Sequence, residues 1–553
     1  MRHARTTLRS VFVAAAALGV AACHGSSSPS ARGSVRDSTL VIATPSDVDN
    51  LVPPLVATTQ GKQVMDLVFD YLARPTAPVQ TIGDAGFRPQ LARSWEWAPD
   101  SLSIAFHIDP RARWHDGTPV TARDVAFSFA LYTDTVVASP HASDFAGIDS
   151  VSVRDSLTAV VWWKHRNPEQ FFQIAYNLVV MPQHLLGSVP RTALAASPFA
   201  QHPIGSGRYR FVDWTHGTAL HIAADTSNYR GRPHFARVTW VIRPDPKAAL
   251  LSVLSGEADF VETVQGSSMP QVARTAGVRT VEYGSLDYGY MVFNLRAHGQ
   301  PHRSSPFTDR ALRVALTEAI DRPAVVRSAL DSLGRVALGP FTRAQASADS
   351  SLNEIAFDSA GAARTLDSLG WRMDAAKGVR VRNGQPLAFS LLLPSSSPTR
   401  MRLGVLLQAQ LARVGARVTV DPEEAVVFVR RLSTGDFDAA LGGWHTDPSP
   451  VTLRQSWGTP HGGDLGANYG GYANAALDAT MDSAAVAFDP ARRAALFRRA
   501  YQTLIDDAPA VWLYEPRNVA VIRKGIEPVG MRADGWWANL PDWAPAGSKV
   551  ASR

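Results

Sequence analysis

The sequence predicts an α/β protein, and three observations carry that prediction. From Thr39 to about Leu220, short β-branched or aromatic runs alternate with helical stretches, and turn residues interrupt them every ten to twenty positions or so. Capped segments with apolar residues at helical spacing recur in the second half. The composition, 45% hydrophobic and 19% charged over 553 residues, supports a large core and excludes a disordered, collagen-like or disulfide-stapled chain. At roughly 100–200 residues per domain the length suggests about three structural units.

The clearest local unit is Trp114-His115-Asp116-Gly117-Thr118-Pro119-Val120-Thr121 running into Ala122–Phe129. Asp116-Gly117 suits a tight turn with positive φ, and Thr121-x-x-Asp124 is a capping box ahead of an apolar helix face. Asp116, Thr121 and Asp124 therefore read as architectural, and His115 as a strand-end residue. Strands are expected at 157–163, 238–242, 389–393, 418–420 and 511–514. Helices are expected over 308–320, with Thr308 as cap and Leu312, Ala315, Leu316, Ala319 and Ile320 on one face, over 358–370, and over 403–415. No internal repeat and no sharp break in composition divides the chain.

Lysine and arginine number 55 against 49 acids; setting aside Arg2, Arg5 and Arg9 in the leader leaves 52 against 49. So small an excess is no footprint for nucleic acid. The leader itself, three arginines followed by the apolar run Val11–Val20 and small residues, reads as a secretory signal over 1–22. That run falls short of the ~20 residues a membrane helix needs. Cys23 is the single cysteine and has no intramolecular partner. The order Val20-Ala21-Ala22-Cys23 resembles the bacterial lipobox, in which the cysteine becomes the lipid-bearing N-terminus. Residues 23–38, rich in Gly and Ser, then form a flexible tether.

Hydrolase and nucleotidase signatures are missing: there is no HExxH, no G-x-S-x-G and no phosphate-loop motif. Asp436 with Asp438, or Glu423 with Glu424, could in principle form a catalytic pair, but read as a solvated turn and a solvated edge. The 15 histidines lack metal-ligand spacing, so no metal and no cofactor is expected.

Taken together, the blocks of this chain resemble the family 5 extracellular solute-binding proteins, receptors for dipeptides, oligopeptides and nickel in ATP-driven importers. The blocks occur in the family's order over nearly the whole mature chain: Asn50–Pro53, Val68–Leu72, Pro89–Glu96, Phe106–Ile108, Trp114–Thr121, Pro203–Tyr209, Ser255–Asp259, Phe307–Arg322, Asp436–Trp444 and Gly471–Asn474. The resemblance implies a two-lobed periplasmic-binding-protein fold of type II, with an extra subdomain, mixed sheets flanked by helices and a hinge between the lobes. Lobe I would span 39–281 and be completed by 511–550; lobe II would span 282–510. It also implies a non-catalytic monomer in the periplasm, lipid-anchored at the outer face of the cytoplasmic membrane, that passes its ligand to permease subunits. Closure of the lobes on a ligand is the expected mode of action.

In peptide-binding members of this family an Asp three residues after Gly-Trp accepts the ligand's α-ammonium. Gly443-Trp444-His445-Thr446-Asp447 keeps that spacing, which assigns the role to Asp447. Trp444 would wall the cleft or pack in the core, and Gly443 and His445 would offer main-chain hydrogen bonds to an extended peptide. The chain continues Asp447-Pro448-Ser449-Pro450 rather than with the longer acidic stretch common in peptide binders, so Asp447 also reads as an Asx-Pro turn. Other readings are the same fold carrying a nickel chelate, haem or saccharide, an exported hydrolase, and a surface sensor or scaffold.

Overall fold

A computed structural model describes residues 38–296, 305–460 and 466–547. The signal, Cys23 and the tether through residue 37 lie outside the described residues.

Two large sheets organise the chain. The first has seven strands in the order Val278–Tyr283, Asn518–Arg523, Phe260–Val261, Thr39–Thr44, Arg237–Ile242, Ala219–Ala224 and Tyr209–Thr215. It is mixed: Thr39–Thr44 runs parallel to Arg237–Ile242 and Phe260–Val261, while its outer pairs are antiparallel. The second has six strands in the order Gly334–Val336, Ala510–Pro516, Asp287–Phe293, Ala439–His445, Ala388–Pro394 and Arg417–Glu423. Ala92–Trp97, Ser103–Ile108, Thr158–Trp163 and Ile148–Asp155 form a separate four-stranded antiparallel sheet whose Phe106, Val161 and Trp163 share the core of the first lobe.

The strand Ala510–Pro516 corrects one expectation. The family resemblance implies that 511–550 complete the first lobe, yet this strand pairs with Asp287–Phe293, and Val511 and Leu513 are buried in the second lobe's core. The alternate residues Ala510 and Trp512 pack on the opposite face of the same sheet. With both faces covered, the strand is committed to the second sheet. The chain returns to the first sheet one strand later, at Asn518–Arg523. The two crossings thus fall between Tyr283 and Asp287 and between Pro516 and Asn518. They are tied together by Arg517, whose Nε donates to Glu282 Oε1 at 3.0 Å.

Local signals act largely as read. Thr121 N donates to Asp124 Oδ2 at 2.8 Å, closing the capping box of helix Ala122–Tyr132. The other Asp124 oxygen accepts Gln183 N, so this cap also fixes a neighbouring segment. Asp358 caps Ser359–Ser368 as expected. Two helix starts differ. The segment after Thr308 is capped by Asp309, because Pro306–Thr308 is a separate 3-10 turn and the Asp309 carboxylate reaches Ala311 N at 3.0 Å. The helix expected from 403 begins at Pro398, with Ser397 as cap. Among the described residues, no helix is long and apolar enough to cross a membrane.

Several sequence blocks meet around buried Asp70. Its carboxylate accepts from Gln90 Nε2 at 2.8 Å and Ser206 Oγ at 3.1 Å, and pairs with Arg230. His115 lies in a turn, buried, with Nε2 2.9 Å from Gly207 O and Nδ1 accepting Gly205 N at 3.2 Å. Burial lowers its pKa, which suits a neutral structural imidazole. Gly205 and Gly207 must be glycine because the end of helix Thr59–Val68 passes so close: a Cβ on Gly205 would lie 1.8 Å from Val68 O, and one on Gly207 2.4 Å from Leu67 O.

Candidate functional site

Between the lobes lies a cavity of about 490 Å³. The first lobe contributes helix Thr59–Val68 through Lys62 and Met65, the loop with His141 and Asp144, and the C-terminal turn Ala533–Trp537. The second lobe contributes Leu286, Asp287, His445, Asp447 and Pro448. Side chains on the first-lobe wall are held by indole donors: Trp537 Nε1 donates to Asp66 at 2.8 Å, and Trp536 Nε1 to Glu262 at 2.9 Å. Glu262 also accepts Gln63 Nε2 at 2.9 Å, and burial raises its pKa.

The cavity is acidic. Asp144, Glu262, Asp287, Asp447 and Asp534 line it against Lys62, His141 and His445. Most of these carboxylates are already matched. Asp534 chelates Arg532, Oδ2 to Nη2 at 2.6 Å; Asp287 lies 2.9 Å from His445 Nδ1; Asp144 lies 3.7 Å from His141. Hydrogen bonding to Asp287 raises the His445 pKa.

Asp447 differs from these. Its loop is fixed through the backbone: Gln345 Nε2 donates to Asp447 O at 2.8 Å, and Thr446 N to Leu286 O at 2.8 Å. Its carboxylate, by contrast, has no hydrogen bond or ion pair among the described residues. The carboxylate accepts nothing from its own loop, so the geometry is not that of an Asx-Pro turn. Its side chain is exposed on the cavity, while protein surrounds it on its flanks. Burial, then the neighbouring charge of Asp144, raise its pKa. An incoming cation would oppose both by favouring the ionised form.

The four residues singled out in the sequence separate here. Asp447 and His445 reach the cavity. Trp444 packs against the second lobe's aromatic core beside Tyr288, and Gly443 faces the Arg400 guanidinium, where a Cβ would lie 2.6 Å from Nη2. Neither lines the cavity. The strand Ala439–His445 is fully paired with Asp287–Phe293 on one edge; on the other it pairs with Ala388–Pro394 only through Ala439 and Ala440. Lys62, Glu262, Asp534 and the Trp536-Trp537 pair were not read as site residues. The tandem tryptophans after Asp534-Gly535 were the available signal. Of the acid pairs considered for catalysis, Glu423 binds Arg431 and Asp438 Oδ2 accepts Ser390 N, and neither pair lines the cavity between the lobes. Among the described residues no group of three His, Cys, Asp or Glu is placed to hold a metal ion.

Residues 86–464 match the model of bacterial extracellular solute-binding proteins, family 5. The oligopeptide-binding protein AppA of Bacillus subtilis is 26% identical over 79% of this chain and 80% of its own. Protein XP55 of Streptomyces lividans is 28% identical over 99% and 97%. Among solved structures, AppA of B. subtilis with a nonapeptide superposes with a TM-score of 0.75 at 23% identity, covering 92% of this chain and 99% of that one. NikZ of Campylobacter jejuni with Ni(L-His) gives a TM-score of 0.76 at 22% identity, with the same coverage. These structures share the type II periplasmic-binding-protein fold, with the cavity of this chain between its two lobes. The chain belongs to the family 5 bacterial extracellular solute-binding proteins.

Proposed function

We propose that this chain is the receptor of an ATP-driven importer and that its cargo is a peptide, or a peptide-like solute, with a free ammonium group. The observation that carries the reading is Asp447, an unpaired carboxylate with a raised pKa in an acidic cavity between the lobes. An ammonium drawn out of water needs a counter-charge there, and among the described acids lining the cavity Asp447 is the one whose carboxylate is left unanswered. The name of the B. subtilis relative, oligopeptide-binding protein, supports the peptide assignment. The receptor acts by binding alone: a solute touching both walls stabilises the closed arrangement in proportion to its differential affinity, and the importer reads that arrangement. Lipid attachment at Cys23 places the receptor at the outer face of the cytoplasmic membrane, with residues 23–38 as tether.

Native mass spectrometry of freshly purified protein, followed by a thermal-shift screen of di- to oligopeptides, tests the cargo. A true ligand at a hundredfold excess over its Kd adds about 2.7 kcal/mol of stability. A peptide set that produces no shift, or one that the protein hydrolyses, removes this reading.

A further inference from the structure

Within the first lobe, a second and smaller chamber of about 60 Å³ shares Lys62, Tyr71, Tyr176 and Asp534 with the wall of the cleft. Five cationic side chains reach it: Lys62, Arg74, Arg208, Arg230 and Arg532. Four of them have carboxylate partners. Asp66 lies 3.0 Å from Lys62 Nζ and Asp534 2.6 Å from Arg532 Nη2, while Asp542 pairs with Arg208 and Asp70 with Arg230.

Arg74 is the fifth. Its Nη2 donates to the Ala538 carbonyl and to Asn539 Oδ1, both neutral, and no carboxylate among the described residues forms an ion pair with it. Burial, and then repulsion from Arg230, lower its pKa to about 10, so it is still charged at neutral pH. Arg230 is itself paired with Asp70, and it repels Arg74. A partly buried guanidinium without a carboxylate partner is unfavourable.

The space beside these groups is small. One water needs about 10–15 Å³ of such volume, so the chamber of about 60 Å³ takes a group of a few heavy atoms. One positive charge is left over, so one negative charge balances the cluster. We infer that the chamber binds a single small monovalent anion, a carboxylate or a halide, through Arg74. Two sources supply that chemistry: a free ion from solution, or the carboxylate end of a solute held in the cleft, whose wall the chamber shares. Only the second source rests on the cargo reading given above.

The test uses the mature chain without cargo, so its failure leaves that reading untouched. Crystals soaked in bromide should give an anomalous peak beside Arg74. The unfolding midpoint should rise by a few degrees or so between low and high bromide or formate, against gluconate at constant ionic strength. Arg74→Gln should abolish that rise; should the variant not fold, the wild-type bromide and gluconate comparison decides alone. Absence of the peak overturns the inference, and so does a peak without anion-specific stabilisation in solution. To separate the sources, a peptide found to bind is added with a free or an amidated C-terminus. Displacement of bromide by the free acid alone identifies the anion as the cargo's carboxylate, and retention of bromide with both identifies a free ion.

Discussion

Glu169, at the start of a first-lobe helix, grips two residues of the second lobe at once. One carboxylate oxygen accepts Arg493 Nη2 at 2.6 Å and the other Ser449 Oγ at 2.6 Å; Glu169 and Arg493 are both buried. Thr81 Oγ1 adds a third bond to Glu169, at 2.7 Å. Arg493 also donates from Nη1 to Ala484 O at 2.9 Å, capping the end of helix Ala475–Ala485. Ser449 stands two residues after Asp447, so the grip that joins the lobes also places the loop bearing the unpaired acid.

Removing one partner of a buried pair strands the other, at a cost of about 3–5 kcal/mol. In a hinged molecule, opening the lobes relieves that cost by returning the survivor to water. Glu169→Ala should therefore increase the radius of gyration in small-angle scattering while lowering stability by less than the full cost of about 3–5 kcal/mol. Replacing both partners with apolar residues, Glu169→Leu with Arg493→Met, should restore part of the compactness. An Ala variant as compact as the wild type would show that the pair does not hold the lobes together.

Asp447→Asn keeps the size of the side chain and removes its charge. The expected loss in affinity for a cationic solute is about 2–4 kcal/mol, the cost of leaving a desolvated ammonium unpaired. Isothermal titration of wild type and variant reads it directly, and equal affinities would take Asp447 out of the site.

The raised pKa of Asp447 adds a pH signature. In the empty protein the folded state holds this proton more tightly than the unfolded chain does. Stability contributed by the protonated form is thus lost as pH rises from the unfolded carboxylate range through the raised value. Binding of a cation has the opposite slope, strengthening over the same interval as the carboxylate ionises. Asp447→Asn should flatten both curves across that interval, and a variant that keeps either slope assigns the titration to another group.

Gly205→Ala tests the architecture around the family blocks. The added methyl would sit 1.8 Å from Val68 O, a backbone atom that cannot swing away. The expected cost is about 3 kcal/mol or more, at the upper end of overpacking. Chemical denaturation measures it; a loss below about 1 kcal/mol would mean that the helix end shifts freely.

Much of this fold was legible where the determining forces are local. The strand at 157–163 was placed within one residue because its β-branched and aromatic run is bounded by turns, and the Thr121–Asp124 box closed as read. Helix Pro490–Asp507 was overlooked although Asp489-Pro490 is a cap-and-start signal followed by Phe497, Tyr501, Leu504 and Ile505 on one face. What was not legible is long-range. Glu169 and Arg493 are 324 positions apart, and no periodicity connects them. The assignment of 510–516 to the second sheet depends on which core covers its faces, which is settled by tertiary packing. Asp447 is assigned by the resemblance to peptide-binding members of the family, whereas the lack of a partner for its carboxylate among the described residues could come only from the folded loop. Trp444 satisfies the same motif and packs in the core.

The most direct test of the central claim pairs one peptide with its N-acetylated form in calorimetric titration of the mature protein. The free-amine peptide should bind, and acetylation should weaken it by about 2–4 kcal/mol in the wild type but change little in Asp447→Asn. Equal binding of both forms by the wild type would contradict the account, because the ammonium would then not be what the cleft holds.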